Sequence, residues 1–421
     1  MTRPLPPAQF RAMTAPNPWL ILPFALLLGA MALAPALVPR WWLRHYATVA
    51  LGLGAFTASW YFFVLRDAAS LGHVAHEYIS FIALVGSLFV VSGGIHIGVK
   101  GEATPLANVI FLLVGAVIAN VFGTTGAAML LIRPWIRMNQ YRVTAHHIVF
   151  FIFIVANVGG GLTPIGDPPL FLGYLQGVPF WWVTKNCWPM WLAGVGGLLA
   201  IFYTFDKINF NRAPRTVREK ETAHEVWKFT GRPNLFFLAV ILGAVFVNHP
   251  PFLREILMLA AATGSYLTTK KSVHAANDFN FHPITEVAVL FAGIFATMLP
   301  ALAWLNANAH SLLGASPSPG IFYWGTGSLS AVLDNAPTYL GFLSALHGVT
   351  GLASTLKDFL QSIAPYALED RCSRQKSRRT NQSSNNRPLG TIPHGGAMGQ
   401  GCRKLCPLGA FSVPACPQQV Q

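Results

Sequence analysis

The amino-acid sequence predicts an all-α polytopic membrane protein, and three observations support this. Charged residues make up only 10% of the chain, whereas hydrophobic residues make up 53%. A soluble domain usually carries roughly 25% charged residues, so this chain cannot cover itself with a solvated surface. Its apolar residues form about ten long runs, each close to the roughly 20 residues that a helix needs to cross a bilayer. Many of its 38 glycines and 30 prolines lie inside these runs, as membrane helices tolerate where neighbouring groups satisfy the freed backbone.

Composition divides the chain into three parts: an N-terminal extension (1–18), a transmembrane domain (19–368) and a basic, low-complexity tail (369–421). Eight apolar runs in the transmembrane domain predict ordinary spans, at 19–38, 45–65, 78–99, 146–163, 186–205, 234–248, 252–268 and 284–303. The first run is too long for the apolar core of a signal peptide, so it predicts a span that is not cleaved.

Two further apolar segments, 105–132 and 321–347, are interrupted near their middles by small polar residues. The first contains the run from Gly123 to Gly126 (GTTG), and the second contains the run from Asp334 to Thr338 (DNAPT). Irregular backbone at membrane depth is tolerated only where it is buried in protein or lines a cavity. Both segments are therefore predicted to be re-entrant hairpins, which enter and leave the membrane on the same side.

Lysine and arginine are concentrated in short loops, and they orient the spans because cytoplasmic loops carry the positive excess. Loops 133–142 and 206–232 and the pair Lys270-Lys271 are predicted to be cytoplasmic, which leaves the loop 304–320 outside. The first hairpin then enters from the cytoplasm and the second from the opposite side. Arg254 is the one charge that this orientation places awkwardly, on the outer side.

Hairpins that enter from opposite sides are what inverted repeats produce. The first repeat is predicted at about 78–205 and the second at about 234–366. An acidic residue opens each repeat, Glu77 in the first and Glu286 in the second, and the polar interruption follows it at nearly the same offset. Both acids are auxiliary candidates for proton binding, although the pattern also fits first-turn acids of ordinary helices.

A further interruption lies between Asn157 and Pro169, where three successive glycines and three prolines cannot continue a helix. Asp167 lies inside this break, and Asp334 lies inside the second hairpin. A carboxylate at the bilayer centre costs about 2.5–3.5 kcal/mol on insertion scales, so it usually faces a cavity and has a function. Each acid also has a structural alternative, because Asp167 fits a turn and Asp334 fits a helix cap.

Acids at such breaks predict a site where a cation and a proton compete. A carboxylate in a medium of low dielectric constant holds its proton tightly, whereas a bound alkali cation stabilises the ionised form. A break frees carbonyls that can coordinate a cation, and it leaves a helix N-terminus that favours anions. Neutral side-chain oxygens would complete the coordination of a hard cation such as Na⁺ or Li⁺. The candidate residues are Asp167, Asp334, Asn157, Thr163, Thr124, Thr125, Asn335 and Thr338.

Other classes are less consistent with the sequence. The net charge of +14 lies in loops, so the predicted partners are the lipid bilayer and inorganic cations rather than nucleic acid. The pair His76-Glu77 lacks the second histidine of a zinc-protease motif, and Cys402 and Cys406 have no second pair at zinc-finger spacing. No nucleophile and base share an apolar segment, so the chain is predicted to be no enzyme and to use no cofactor or transition metal. The pair His146-His147 precedes a span and is predicted to lie at the membrane interface.

The motifs resemble those of NhaD-type sodium/proton antiporters, which belong to an ion transporter superfamily that also contains citrate, dicarboxylate and arsenite carriers. The resemblance covers roughly residues 40–365. It is carried by His76–Ser80, Gly123–Ala127 with Arg133-Pro134, Asn157–Pro169, Glu286 with Phe291–Phe295, and Asp334–Thr338.

The resemblance implies two inverted repeats, each with one hairpin and one unwound helix whose tips form the sodium and substrate sites. It also implies exchange of Na⁺ or Li⁺ for H⁺ across a bacterial-type cytoplasmic membrane. It allows a homodimer, for which the sequence shows no interface. A sodium-coupled carrier of an organic anion or oxyanion is the alternative, although neither break contains an Arg or Lys to hold a carboxylate.

The predicted second repeat is incomplete. Inverted symmetry requires a second Gly-rich break near positions 366 to 376, yet the composition changes abruptly at about Glu369 and no long apolar run follows. The tail is either a disordered cytoplasmic extension or out-of-frame translation after a frameshift or a sequencing error. Half of the second site would be missing, so the chain is predicted to be an impaired transporter or an inactive product of a frameshifted gene.

The frameshift hypothesis makes a prediction about the gene. Translation in the alternate frame after about codon 368 should give an apolar segment interrupted by glycines, because the inverted repeat requires one there. Resequencing of the gene and reading of both other frames check this. If neither frame encodes such a segment, the disordered extension is the correct account of the tail.

Overall fold

The computed structural model describes residues 17–98, 104–140, 142–212, 228–247, 249–314 and 318–350. Helices dominate these residues, and six of them are long and apolar enough to cross a membrane by length and composition. The prediction of an all-α polytopic membrane protein is confirmed. Most of the predicted N-terminal extension and all of the basic tail lie outside the described residues.

The helices are distributed along the whole described chain. Those before residue 213 are α1 (Leu22–Leu37), α2 (Pro39–Ser59), α3 (Ala68–Gly93), α4 (Pro105–Met138), α5 (Ala145–Phe151), α6 (Pro168–Leu175) and α7 (Trp182–Arg212). Those after residue 227 are α8 (Pro233–Ala244), α9 (Leu253–Thr268), α10 (Lys271–Ala276), α11 (His282–Leu313), α12 (Pro319–Ser330) and α13 (Asn335–Thr350).

Short irregular elements extend these helices. A 3₁₀ turn (Pro18–Ile21) precedes α1, and a π-helical turn (Trp60–Val64) follows α2. A π-helical turn (Ile152–Asn157) and a 3₁₀ turn (Val158–Gly160) continue α5. Strands β1 (His96–Gly98) and β2 (Lys228–Thr230) form a two-stranded antiparallel ribbon, which the sequence analysis did not predict.

Helix α4 is long enough to span a membrane, yet it folds back on itself. Its 34 residues would extend about 51 Å as a straight helix. Instead Nδ2 of Asn108, near its start, donates to Oδ1 of Asn139, just past its end, over 2.8 Å. The chain reverses at Gly123, where φ is 73° and ψ is 156°. Both ends of α4 therefore lie together, as a re-entrant hairpin requires.

Helices α12 and α13 form the second hairpin. Residues 331–334 connect them, and the hydroxyl of Ser330 donates to Oδ1 of Asn335 across this turn. The two limbs pack closely, since a Cβ on Gly325 would lie 2.9 Å from the ring of Phe342. Helix α13 also packs along α11, which holds the hairpin against the rest of the protein.

The segments that the charge pattern predicts to be cytoplasmic lie together. Strand β1 follows α3 and pairs with β2, which precedes α8. Nδ2 of Asn277 donates to the carbonyls of Gly93 and Ile95 over 2.9 and 2.7 Å. Arg133, in the second limb of the first hairpin, forms an ion pair of 2.6 Å with Asp278. These contacts agree with the predicted orientation of the spans.

Arg254, the charge that fits this orientation poorly, is buried inside the protein. Its Nε and Nη2 donate to Oε1 of Glu255 over 3.0 and 2.9 Å, and Nη2 also donates to the hydroxyl of Ser80 over 3.0 Å. The guanidinium carbon lies 5.9 Å from the centroid of the Phe171 ring. Because Glu255 neutralises this charge locally, Arg254 does not contradict the positive-inside pattern.

Several predicted helix boundaries are wrong, including those of the predicted loops 133–142 and 206–232, which are helical as far as Met138 and Arg212. The loop predicted at 304–320 is helical as far as Leu313, because polar side chains there find partners on the helix itself. Asn308, for example, donates to the carbonyl of Trp304 over 2.9 Å. A further error concerns the start of α3, which lies well before the predicted start at residue 78.

The early start of α3 changes the interpretation of Glu77. The carboxylate of Asp67 caps this helix by accepting the N–H of Ser70 over 3.0 Å. Glu77 therefore lies in the middle of α3 and not in a first turn. Glu286 is likewise beyond the first turn of α11. The first-turn alternative is wrong for both acids.

Two apolar clusters hold the helices together. One surrounds α3, α9 and α11, where the rings of Phe81 and Phe291 stack with centroids 4.7 Å apart. The other joins both limbs of α4 to α5 and α7 around Trp135, which is fully buried against Phe151 and Phe202. The second cluster therefore fixes the first hairpin against α5, the helix that leads into the predicted break.

The buried pair in α9 gives a stability prediction. Arg254→Ala should destabilise the protein by about 3–5 kcal/mol, because Glu255 would stay buried without its counter-charge. Replacing both residues by leucine should restore much of the stability, because no charge then stays buried. Arg44→Ala, at an exposed position of α2, is the matched control. Thermal unfolding in detergent measures the difference, and equal melting temperatures for the Arg254 and Arg44 variants would contradict it.

Candidate functional site

The tip of the first hairpin contacts the break that follows α5. Helical geometry is lost at Asn157, where φ is −128° and ψ is −85°, and the chain resumes as α6 at Pro168. The N–H of Thr124, directly after the reversal at Gly123, donates to the carbonyl of Gly166 over 2.9 Å. The two irregular segments thus satisfy backbone groups of each other, which lipid could not do.

Glycine is required where the break folds against itself. A Cβ on Gly166 would lie 2.1 Å from the carbonyl oxygen of Gly160. A Cβ on Gly160 would lie 2.5 Å from the carbonyl oxygen of Gly166 and 2.6 Å from Cγ2 of Thr124. Because the nearest atoms are backbone atoms, a side chain at either position would force the backbone to move.

Asn120, shortly before the hairpin tip, holds the break in place. Its Nδ2 donates to the carbonyls of Ala116 and Gly159 over 3.0 and 2.8 Å, and its Oδ1 accepts the N–H of Leu162 over 3.0 Å. Its own carbonyl accepts the hydroxyl of Thr163 over 2.6 Å. The sequence analysis missed Asn120, because its position in an apolar run does not show which distant carbonyl it reaches.

Side chains from α7 also bind carbonyls that the break leaves free. Nε1 of Trp191 donates to the carbonyl of Gly159 over 2.9 Å, and the hydroxyl of Thr184 donates to the carbonyl of Leu162 over 2.6 Å. The hydroxyl of Thr163 accepts the N–H of Gly166 over 3.0 Å. These groups hold the break in shape, which leaves them less free to coordinate a cation.

Asp167 occupies the N-cap position of α6, but its carboxylate makes no capping hydrogen bond. Pro168 and Pro169, the first two residues of α6, have no N–H to donate, so only the N–H of the third residue, Leu170, is in position to be capped, and it makes no bond to the Asp167 side chain. The same prolines remove two of the donors with which a helix N-terminus binds anions. Asp167 is half-buried at the edge of a cavity, and within the described part of the chain its carboxylate makes no capping hydrogen bond.

Asp334 precedes α13 in the same way, but its carboxylate is used differently. The backbone N–H groups of Asn335 and Ala336 lie close enough to stabilise its negative charge, so the helix-cap alternative describes part of its role. The carbonyl of Asp334 accepts the hydroxyl of Thr338 over 2.9 Å. Asp167 and Asp334 are close enough to interact electrostatically, so one acid from each half contributes to a shared negative potential.

A cavity of about 400 Å³, here called the central cavity, lies between the break and the second hairpin. Its polar lining includes Asn157, Asp167, Thr326, Ser330, Asn335 and Tyr339. These residues offer carboxylate, amide and hydroxyl oxygens, and no Lys or Arg is found among the described residues of the lining. Oxygen ligands of this kind suit a hard cation.

The structure divides the predicted site residues among several places. Asn157, Asp167 and Asn335 line the central cavity, and Asp334 adjoins it. Thr124 and Thr125 line a small cavity of about 20 Å³ at the first hairpin tip, and Thr163 holds the break. Thr338 borders an apolar cavity beside α1 and α11. The predicted acids are therefore brought together, whereas the first hairpin contributes contacts to the break instead of lining the central cavity.

A larger cavity lies elsewhere, at the predicted outer ends of α3, α6 and α9, and has a volume of about 600 Å³. Glu77 lines this outer cavity and lies 3.2 Å from Nε2 of His73. Helix α6 separates it from the central cavity, since Asp167 precedes α6 and Tyr174, roughly 10 Å along the helix axis, lines the outer cavity. Glu286 lines neither cavity. The central cavity is the better functional candidate, because Asp167 lines it and Asp334 adjoins it.

The structure has the features of a membrane carrier. Helices long enough to span a membrane surround two hairpins, and a polar cavity lies between the break and the second hairpin. Residues 13–368 match the family model CitMHS_2, described as "Putative citrate transport", and the chain belongs to this family. It is thus a multi-pass secondary transporter of the citrate/ion transporter type. The match ends directly before the change of composition at Glu369. None of the curated proteins compared with the chain matches it.

Close packing in the break gives a second prediction. Gly166→Ala should cost about 1–3 kcal/mol of stability or more and abolish transport, because the added methyl group displaces the backbone of Gly160. Gly197→Ala is the matched control, since a Cβ at this position of α7 meets no atom within 4 Å. Melting temperatures in detergent and transport in vesicles are compared. Similar results for the two variants would show that the break does not need glycine at residue 166.

Proposed function

We propose that the chain exchanges Na⁺ or Li⁺ for H⁺ across a bacterial-type cytoplasmic membrane. The observation that supports this most directly is the carboxylate of Asp167. It lines the central cavity and makes no capping hydrogen bond, and the two prolines that follow it leave only Leu170 with an N–H in capping position. The narrower resemblance to NhaD-type antiporters and the homodimer it allows stay predictions.

A half-buried carboxylate without hydrogen-bond donors is unfavourable at membrane depth unless a positive charge joins it. At the bilayer centre the cost of such a charge is about 2.5–3.5 kcal/mol on insertion scales. A proton or a small cation removes this cost, and both compete for the same oxygen atoms. Asn157 and Asn335 supply amide oxygens and Ser330 a hydroxyl oxygen around the same cavity, which are suitable ligands for an alkali cation.

Exchange also requires that the site open to each side in turn. The central cavity lies between α6, which belongs to the first predicted repeat, and the α12–α13 hairpin, which belongs to the second. A movement of one half against the other would therefore change the access to Asp167 while the carboxylate stays at the interface. This arrangement is typical of carriers with sites between repeats.

Citrate transport is the second candidate, because the description of the matching family favours it. The central cavity of about 400 Å³ falls in the range of about 300–1,000 Å³ that small-molecule sites occupy. A citrate trianion would meet two acids there and no described Lys or Arg. It would therefore have to enter together with cations that neutralise it, so a cation site at Asp167 is common to both candidates.

The cation site can be tested by binding as well as by transport. Asp167→Asn should lower the affinity for ²²Na⁺ of the purified chain at least about tenfold, which corresponds to about 1.4 kcal/mol. It should also abolish the Na⁺-dependent pH change in everted vesicles. Unchanged ²²Na⁺ binding by this variant would exclude Asp167 as the cation ligand.

Two further variants sharpen this test. Asp334→Asn should have a smaller effect on Na⁺ affinity than Asp167→Asn, because backbone N–H groups already stabilise the Asp334 carboxylate. Asp278→Asn is the control, since its side chain is 82% exposed and lines neither polar cavity. A loss of Na⁺ binding in the control equal to that of Asp167→Asn would indicate a general effect of acidic residues.

Uptake of radiolabelled citrate by reconstituted liposomes separates the two candidates. Under the exchange proposal, citrate uptake stays at the level of empty liposomes, whereas an imposed Na⁺ gradient moves protons. Citrate uptake that requires Na⁺ or a divalent cation, without Na⁺-driven proton movement in the absence of citrate, would favour the second candidate.

The rate of transport is expected to be low. The first hairpin is held against a Gly-rich break, whereas the sequence after the second hairpin contains no Gly-rich break in an apolar segment. We therefore infer that the second site is incomplete and that this chain is impaired. Cation binding at Asp167 depends mainly on the first repeat, so it should survive even where transport is too slow to detect.

A further inference from the structure

A polar cluster lies at the cytoplasmic base of the first hairpin, away from the central cavity. It joins both ends of α4 to the segment that begins α5 and to the end of α7. Its members are Asn108, Asn139, Arg142, His146, His147 and Asp206. Asp206 and His147 are completely buried, with 0% exposure. The sequence analysis did not predict that His147 is buried in the protein, because the sequence does not show that a distant acid meets it.

The carboxylate of Asp206 has one lone-pair site left on the side of the histidines. Its Oδ2 accepts Nη2 of Arg142 over 3.1 Å and Nδ2 of Asn108 over 2.9 Å. Its Oδ1 accepts Nη1 of Arg142. A carboxylate offers about four such sites, so Oδ1 keeps one. Nε2 of His147 and Nε2 of His146 lie 3.1 and 3.8 Å from this atom.

The other ring nitrogens of both histidines face a single hydroxyl group. Nδ1 of His146 lies 2.6 Å and Nδ1 of His147 lies 3.0 Å from Oγ1 of Thr144. A hydroxyl carries one hydrogen and two lone pairs, so at least one Nδ1 must be protonated and donate to Thr144. In the neutral form of that ring, Nε2 then presents a lone pair. Both Nε2 atoms are buried, and neither has a hydrogen-bond partner in the described part of the structure.

Two imidazole nitrogens and one carboxylate oxygen therefore converge, and we propose that His146, His147 and Asp206 bind a divalent transition metal, best represented by Zn²⁺. The three ligand atoms lie within 4.8 Å of one another. Zn²⁺ bonds of about 2.0–2.2 Å bring two ligands to within about 4 Å, so little movement is needed. Nitrogen and carboxylate ligands are those of zinc sites that keep a fourth position for water.

The surroundings of the ligands support a metal more than a proton. If either imidazole were protonated at Nε2, that N–H should donate to Oδ1 of Asp206. Neither Nε2 has the geometry of such a hydrogen bond. The hydrogen bonds of Nδ1 to Thr144 are the outer contacts that usually orient metal-bound imidazoles. Arg142 neutralises part of the charge of Asp206, so the metal is expected to be exchangeable rather than permanently bound.

A bound metal would connect α5 to α7 at the base of the first hairpin. Helix α5 leads directly into the break that positions Asp167, and Asn108 connects Asp206 to the hairpin itself. Occupancy would therefore restrict movement of this part of the carrier. The inference does not rest on the proposed function, because it concerns different residues and is tested by binding alone.

The test uses the full-length chain, purified in detergent without an affinity tag and with Cys372, Cys402, Cys406 and Cys416 all replaced by Ser to remove competing tail thiols. Titration with Co²⁺, followed by its visible absorption, should show one site per chain, and Zn²⁺ should displace the Co²⁺. Affinity should increase from about pH 6 to 8, since metal and protons compete for the imidazoles. If this protein binds no Co²⁺ or Zn²⁺ stoichiometrically, the metal site is excluded and a protonated imidazole is the correct account.

Matched variants assign the site to its residues. His146→Gln should lower Co²⁺ affinity at least about tenfold, because one ligand is lost, whereas His310→Gln, at an exposed position of α11, should leave it unchanged. Zn²⁺ should raise the melting temperature of the parent and of the His310 variant but not of the His146 variant. Equal Co²⁺ affinities for the two variants would overturn the assignment even if the parent binds metal.

Discussion

The broken segment after α5 can exist inside a membrane only because protein groups satisfy its backbone. Asn120 binds this segment at both a carbonyl and an N–H, and Trp191 and Thr184 bind further carbonyls from α7. The hairpin tip adds the N–H of Thr124. Asp167 follows this segment directly, so the position of its carboxylate depends on contacts made by residues that carry no charge.

Features that depend on local sequence were predicted well. Long apolar runs predicted helices, small polar residues predicted the hairpin that reverses at Gly123, and glycine and proline predicted the break before Asp167, because glycine and proline restrict helices wherever they occur. The helix ends were predicted less well, since polar residues such as Asn308 can remain helical by binding their own backbone. A loop and such a helix end have the same composition.

Contacts between distant residues were not predicted. Asn120 reaches the break, Glu255 meets Ser80, and Asp206 meets His147, in each case across a large separation in the chain. Each of these side chains lies in or beside an apolar segment, where the sequence shows that a partner must exist but not which one it is. The positions of the two acids at the central cavity could be predicted because each adjoins a break in its own helix.

The prolines at the start of α6 have a consequence for ion selectivity. Pro168 and Pro169 bind nothing in the cavity, yet they leave the Asp167 carboxylate without the N–H donors that Asp334 has. Two carboxylates of the same chemical type thus differ in their affinity for positive charge because of the residues that follow them. Evolution could therefore tune the preference of such a carrier between ions by exchanging an imino acid for an amino acid, with every ligand left unchanged.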